Sequence, residues 1–303
     1  MNILVTGITG YVGSRLAPRL TTLGHSVRGF SRGAHPSSSW PIVQGDAVSG
    51  KGLTQALADV QVAYYLMHSL EPSPDGAFGT RELRAAQNFV RAAQAAGTER
   101  IVYLGGLMPA GGPTSPHLTS RLAVERILLE SVDCALALRA SIVIGAGSRS
   151  FRLLVRLVER MPILPLPGWH VHRTSPVDER DMIEILARMA TAEGACGQAL
   201  DVAGPEQVSY GELVERIRDM LLLGRPTVTF RRLNVTPIVS RLAALIGQEE
   251  YELVGPLMES LEDDLLPRTD GAAELVGVRL HSLDSAIEHA LAEWEAVEPL
   301  AAR

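Results

Sequence analysis

Two cysteines in 303 residues are too few for a stapled framework, and Cys134 and Cys196 lie in separate segments without a CxxC pair. Neither a disulfide framework nor a zinc or other metal site is expected, and a reduced, cytoplasmic setting fits this usage. Positive charge is also short: 28 Lys and Arg stand against 34 Asp and Glu, for a net charge of −6. Nonspecific nucleic-acid binding needs clustered cations to neutralise phosphates, so no nucleic-acid partner is expected. The most basic stretch, residues 225–241, reads as a solvated face. No uncharged apolar run reaches the roughly 18 to 20 residues that span a bilayer. No charged-then-apolar leader precedes the first strand pattern, so neither a membrane span nor a secretory signal is expected.

What is present is a globular composition, with 46% hydrophobic residues and 28 glycines. Short apolar runs alternate with helical periodicity through the first half. Residues 2–6 read as a strand, 12–23 as a helix closed by Gly24, and 26–30 as a second strand. Strands follow at 41–43, 60–66, 100–104 and 134–144. Helical spacing occupies 53–57, 81–96 and 118–131. Such alternation implies βαβ crossovers and a buried, mostly parallel sheet. Beyond Gly147 the pattern changes. Residues 161–168 hold three prolines and exclude a regular helix. Helices are expected at 181–189, 210–223, 235–246 and 283–296, and a strand at 228–233.

The turn between the first strand and first helix reads Thr6-Gly7-Ile8-Thr9-Gly10-Tyr11-Val12-Gly13. Gly7 allows a tight turn, Gly10 lets backbone approach a pyrophosphate, and Gly13 permits close helix–strand packing. The helix N-terminus offers free N–H groups to the phosphates. The fold class is therefore α/β: a Rossmann-type, doubly wound parallel sheet with a smaller C-terminal substrate lobe. Residues 1–150 form the dinucleotide-binding domain, to which 176–204 return. Residues 151–175 and 205–303 form the lobe. A carboxylate that selects the ribose 2′-OH of NAD is expected about 20 residues past the turn. The second strand instead ends Phe30-Ser31-Arg32. Arg32 pairs with a 2′-phosphate and Ser31 donates to it, so the expected cofactor is NADP(H). Ligands sit outside the carboxyl ends of the strands, which places Leu66, Met67, His68 and Ser69 beside them.

The TGxTGxxG spacing, with Gly45-Asp46-Ala47 after the third strand, resembles the extended and atypical branch of the short-chain dehydrogenase/reductases. Residues 88–104, Leu138-Arg139 with 142–145, and 176–181 carry the same likeness. Two stretches, residues 63–69 and 115–121, look like the NmrA-like, complex-I-subunit-like NAD(P)H-binding proteins. The resemblance implies that Gly45, Asp46 and Ala47 lie at the adenine. It also implies a reactive Tyr and Lys four residues apart on one helix, and a Ser before them. Here those positions hold His117, Arg121 and the Gly105-Gly106-Leu107 stretch. His117 is the candidate proton-transfer residue and Arg121 the residue that holds ribose or substrate, with His68 next in rank. The cleft is expected between the carboxyl edge of the sheet and the lobe, with walls from residues 161–173.

The function expected is an NADPH-dependent oxidoreductase acting on a small, largely apolar carbonyl or enone. Two alternatives stay open: an NADP(H)-binding sensor or scaffold without turnover, and a non-redox enzyme that keeps the cofactor structurally. A homodimer is compatible with either.

Overall fold

A computed structural model describes residues 1–35, 37–67, 78–229, 260–269 and 271–300. Its strands are β1 (Asn2–Thr6), β2 (Ser26–Ser31), β3 (Ile42–Gln44), β4 (Val62–Tyr65), β5 (Arg100–Gly106), β6 (Cys134–Ala140), β7 (Val143–Ile144), β8 (Leu164–Leu166), β9 (Arg173–Thr174), β10 (Val177–Asp178), β11 (Ala199–Val202), β12 (Val208–Ser209) and β13 (Thr227–Thr229). The helices are α1 (Tyr11–Thr22), α2 (Leu53–Leu57), α3 (Phe78–Ala96), α4 (Pro116–Leu129), α5 (Arg149–Arg160), α6 (Glu179–Arg188), α7 (Tyr210–Met220), α8 (Ala272–Leu275) and α9 (Leu283–Glu295).

Seven strands form one sheet in the order β11-β6-β5-β4-β1-β2-β3, and every pairing in it is parallel. The chain runs outward from β1 through β2 to β3, then restarts at β4 on the other side of β1. That reversal makes the β1–β4 junction the switch point, where loops leave the carboxyl edge in opposite directions.

Alternation along each strand divides the core. Ile3, Val5, Val62, Tyr64 and Val102 face α1 and α6, where Leu16, Leu20, Met182, Ile185 and Leu186 pack on them. Leu4, Ala63, Tyr65, Ile101 and Tyr103 face α3 and α4, meeting Phe89, Ala93, Val124 and Leu128. Both faces are covered, so the strands read as continuous apolar runs. Each buried Leu, Ile or Phe stabilises the fold by roughly 1.5 to 3 kcal/mol. Polar ties fix α6 to the sheet: the Tyr64 hydroxyl donates to the Leu186 carbonyl at 2.8 Å, and Arg100 donates to those of Met189 and Ala192 at 2.7 and 2.9 Å.

A separate apolar cluster joins α5, α7 and α9 through Phe151, Val155, Leu213, Ile217, Leu291 and Trp294. Arg152 and Arg156 lie over the Trp294 ring, 4.6 and 4.8 Å from its centre.

The structure departs from the sequence expectations at several places. Cys134 and Cys196 form a disulfide, with Cα atoms 4.6 Å apart across 62 residues of sequence. Pairing of Ala199 with Ala137 lays β11 along β6, and Gly197 donates to the Ala135 carbonyl at 2.7 Å. The lateral contact of two distant segments brings the thiols together, which sequence spacing does not reveal. The reduced setting expected from cysteine count is at odds with this bridge. The strand expected over 134–144 divides, because β7 leaves the sheet to pair with β10. The expectations at 235–246, at 230–233 and at His68 and Ser69 lie outside the described residues. Among the described residues, no helix is long and apolar enough to cross a membrane, and no group of three or more His, Cys, Asp or Glu is placed to hold a metal ion.

Candidate functional site

The turn after β1 is built on glycine. Gly7 has φ of +67°, a left-handed conformation that L side chains rarely adopt, and its N–H is bonded to the Phe30 carbonyl of β2 at 3.2 Å. A Cβ on Gly13 would lie 2.3 Å from the Gly7 carbonyl oxygen and 2.6 Å from Ile8 Cα. Only glycine lets α1 start this close to β1. Gly10 caps α1 with no side-chain hydrogen bond, and the first turn holds no acidic residue. Gly10 N–H is taken by the Gly7 carbonyl at 2.9 Å and the first intrahelical bond runs from Ser14 N–H to the Gly10 carbonyl, so the N–H groups of Tyr11, Val12 and Gly13 have no acceptor within the helix. Donors without a carboxylate and a helix dipole pointing outward suit an anion such as a pyrophosphate. The residues present fit a dinucleotide.

Gly7, Thr9, Gly10, Tyr11, Val12 and Gly13 line a cleft of about 1230 Å³ along the carboxyl edge. Tyr11 is fixed there from behind. Its hydroxyl is hydrogen-bonded to Glu179 at the start of α6, and its ring lies where a Cβ on Gly147 would reach it at 2.6 Å. Arg15 completes the contact with Glu179 at 3.1 Å. Burial and the adjoining Glu179 push the Tyr11 phenol far above its ordinary range, so it is a neutral donor at any working pH.

At the β2 end the cleft is lined by Ser31, Arg32, Gly33, His35, Asp46 and Ala47. Asp46 accepts from the N–H groups of Val48 and Ser49, both at 3.1 Å. Burial works to raise its carboxyl. The Ser49 and Val48 hydrogen bonds and the Arg32 guanidinium outweigh this and hold it below the usual range. Gly45 does not line the cleft. Its missing Cβ makes room for the Lys51 carbonyl oxygen, which would stand 2.2 Å away, and for the Phe30 ring. Its role in the turn is packing.

Leu66 and Met67, after β4, line the cleft, with Gly105, Gly106 and Leu107 beside them at the end of the adjacent β5. No hydroxyl stands at those three positions. His117 and Arg121 enter from α4, one helical turn apart. Ser115 caps that helix by accepting from Leu118 N–H at 3.2 Å, and Pro116 fills its first position. The helix is held at three points. Ser120 donates to Glu82 of α3 at 2.7 Å, Arg121 donates to the Leu104 carbonyl of β5 at 3.0 Å, and Glu125 takes Arg139 of β6 with Nε at 2.9 Å. Arg121 is 7% exposed and lies 5.9 Å from the centre of the Tyr103 ring.

Burial, with the Arg121 charge adding to it, pushes the His117 imidazole down to about 4, against an opposing pull from Glu82. His117 is therefore neutral at pH 7. The consequence for stability has a definite sign. Below about 6.5 the unfolded chain takes up a proton here that the folded chain refuses until about pH 4. Stability is lost as pH falls through that window, at up to about 1.4 kcal/mol per unit and about 3 kcal/mol in all. Urea unfolding at pH 7.5 and pH 4.5 measures it. His117→Asn should lose less than the wild type on acidification, whereas parallel losses would remove His117 as the source.

The cleft is also lined by Leu118, Leu153, Leu154, Tyr210, Leu261 and Leu265, with Ser148, Arg149 and Ser150 at the start of α5. This wall differs from the expected one, for no residue of 161–173 lines the cleft. Trp169 is instead buried behind it, edge-on to Tyr210 at 6.3 Å and clustered with Leu153 and Leu261. Residues 164–166 of that stretch form β8, which pairs with β13. Sequence reasoning missed His35, Glu82, Ser148, Tyr103 and Tyr210 as lining residues. The first and last follow the ends of expected strands or open an expected helix, and that position was the available signal.

Residues 3–193 match the description "NAD dependent epimerase/dehydratase family". A 2-alkyl-3-oxoalkanoate reductase of Stenotrophomonas maltophilia is 26% identical over 264 residues, which cover 75% of this chain and 77% of the reductase. A 3 beta-hydroxysteroid dehydrogenase/Delta 5-->4-isomerase of Mycobacterium tuberculosis is 30% identical over 201 residues, 55% of this chain and 54% of that one. Among solved structures, a UDP-glucuronic acid 4-epimerase from Bacillus cereus, in complex with UDP-glucuronic acid and NAD, shares the fold at TM-score 0.72. It is 15% identical, with 98% of this chain and all (100%) of that one covered. A short-chain dehydrogenase/reductase superfamily protein from Agrobacterium tumefaciens with bound NAD gives the same score at 18% identity, with 98% of each chain covered. The match over most of the sheet and the glycine turn that it builds lead to one statement: the chain belongs to the NAD dependent epimerase/dehydratase family, within the extended short-chain dehydrogenase/reductases.

Proposed function

We propose that the chain is an NADPH-dependent oxidoreductase that acts on a small, largely apolar carbonyl or enone. The observation that carries this reading is the gradient along one cleft. The β2 end presents Ser31 and Arg32, the middle presents glycine backbone, and the far end presents mostly leucine side chains with His117 and Arg121 between. A 2′-phosphate suits the first region, a pyrophosphate the second, and an apolar substrate the third. The bound nicotinamide would supply the hydride, and the chain would supply orientation and the proton. The names of the reductase and the steroid dehydrogenase among the relatives point to substrates of the same apolar kind.

Purified protein mixed with NADPH and a panel of 2-alkyl-3-oxo acids, cyclic ketones, steroid ketones and enones tests the reading, with UDP-sugars as contrast. NADPH consumption with an apolar ketone is the expected result. Calorimetry on Arg32→Ala should show NADPH weakened roughly 10- to 100-fold and NADH little changed, the loss typical of a charge-assisted pair. Tighter NADH than NADPH in the wild type would overturn the coenzyme assignment. Tight NADPH binding without turnover of any carbonyl would favour a sensor or scaffold, a reading supported by the absence of a hydroxyl at Gly105 and Gly106.

A further inference from the structure

The loop after β2 folds back on itself. His35 Nε2 lies 3.1 Å from Ser31 Oγ, so the imidazole is already fastened to the end of the strand. A Cβ on Gly33 would stand 3.1 Å from that same nitrogen, so a side chain there would press on the ring. Gln44 of β3 donates to the Arg32 carbonyl at 3.0 Å and holds the loop against the sheet. Ser31, Arg32, Gly33 and His35 all line the cleft at this end.

We infer that His35 is a specificity-determining residue, forming with Ser31 and Arg32 the seat for the ribose 2′-phosphate of NADPH. The inference rests on the NADPH reading above and deepens it. A 2′-phosphate offers several acceptor oxygens, whereas the 2′-OH of NADH offers one neutral hydroxyl. A guanidinium fork and a hydroxyl held in place by the His35 ring, all within one five-residue loop, match the phosphate and leave most donors idle against the hydroxyl. The carboxylate that would choose the hydroxyl is not offered. Asp46, which lines the same end of the cleft and feels the Arg32 charge, accepts from the Val48 and Ser49 N–H groups. The Ser31–His35 bond sets the two groups side by side before any ligand arrives, which reduces the ordering cost of binding.

Fragments separate a phosphate seat from a loop-folding role. The intact protein is titrated by calorimetry with 2′,5′-ADP, 5′-AMP, NADPH and NADH. His35→Ala should weaken 2′,5′-ADP and NADPH about tenfold and leave 5′-AMP and NADH within about twofold. His35→Gln keeps a donor and should recover part of the loss. Gly33→Ala presses on the ring and should give part of the His35→Ala loss. An unchanged ratio of 2′,5′-ADP to 5′-AMP affinity in His35→Ala would overturn the inference, and so would equal weakening of both fragments. The NADPH reading itself fails on a different measurement, equal wild-type affinity for the two fragments.

Discussion

Reduction of the Cys134–Cys196 disulfide should lower the stability of the fold by about 4 kcal/mol. In the chain-entropy account a cross-link over 62 residues removes that much freedom from the unfolded ensemble. For a chain of this length the loss corresponds to roughly 6 °C in Tm. Cys134 is the first residue of β6 and Cys196 precedes β11, so the bridge staples the amino ends of an edge pair. The cleft lies at the carboxyl ends of the same sheet. The bridge should therefore affect stability and leave nucleotide affinity alone. Thermal unfolding of the oxidised protein, the reduced protein and a Cys134→Ser, Cys196→Ser double variant measures the first. NADPH titration of each measures the second. Equal Tm values with a disulfide confirmed by mass spectrometry would refute the stabilising role. A changed NADPH affinity would refute the separation of bridge and cleft.

This bridge also marks where sequence reading ends. Helices with local signals were legible: Leu53–Leu57 matches its expected span, and α3, α6 and α9 lie within three residues of theirs. Each carries its periodicity, caps or closing glycine within its own residues. The glycine turn was legible because its requirement is a backbone conformation that one residue type supplies. The α5 helix was missed although Phe151, Leu154, Val155 and Val158 keep helical spacing after Ser148. The prolines that follow drew the reading toward irregular structure. β11 was missed for a different reason. Four residues at a sheet edge hold little pattern, and their identity as a strand comes from β6 alongside. The same limit applies to the site. His117 and Arg121 share a helix face and were expected from the family resemblance, whereas Glu82 comes to the cleft from α3 through tertiary packing alone. The apolar wall moved from 161–173 to α5, Tyr210 and Leu261 because Trp169 turned inward to support it.

Replacing His117 by Ala should lower kcat by about 10² to 10⁴ and leave NADPH affinity within about twofold, the range for loss of a general acid. The pH profile gives the stronger test, because the imidazole is pushed down to about 4. At pH 7 only about 10⁻³ of the molecules then carry imidazolium. Under the proposed oxidoreductase reading, reduction delivers hydride to the carbonyl carbon and its oxygen needs a proton, so the active form would be the imidazolium. Its population, and kcat with it, should fall about tenfold per pH unit above pH 5. In the alcohol-oxidation direction neutral imidazole accepts the proton, and the rate should stay flat over the same range. His117→Ala should abolish the difference between the two directions. Arg121 acts on both quantities. Its charge helps hold the imidazole down, and its hydrogen bond to the Leu104 carbonyl fixes α4 on β5 beside the cleft. Arg121→Ala should therefore lower kcat and nucleotide affinity together. Arg121→Lys should keep the charge at His117, and so the pH slope, while losing part of the hold on the strand. A reduction rate independent of pH, with full activity in His117→Ala, would transfer the proton to His68 or to water.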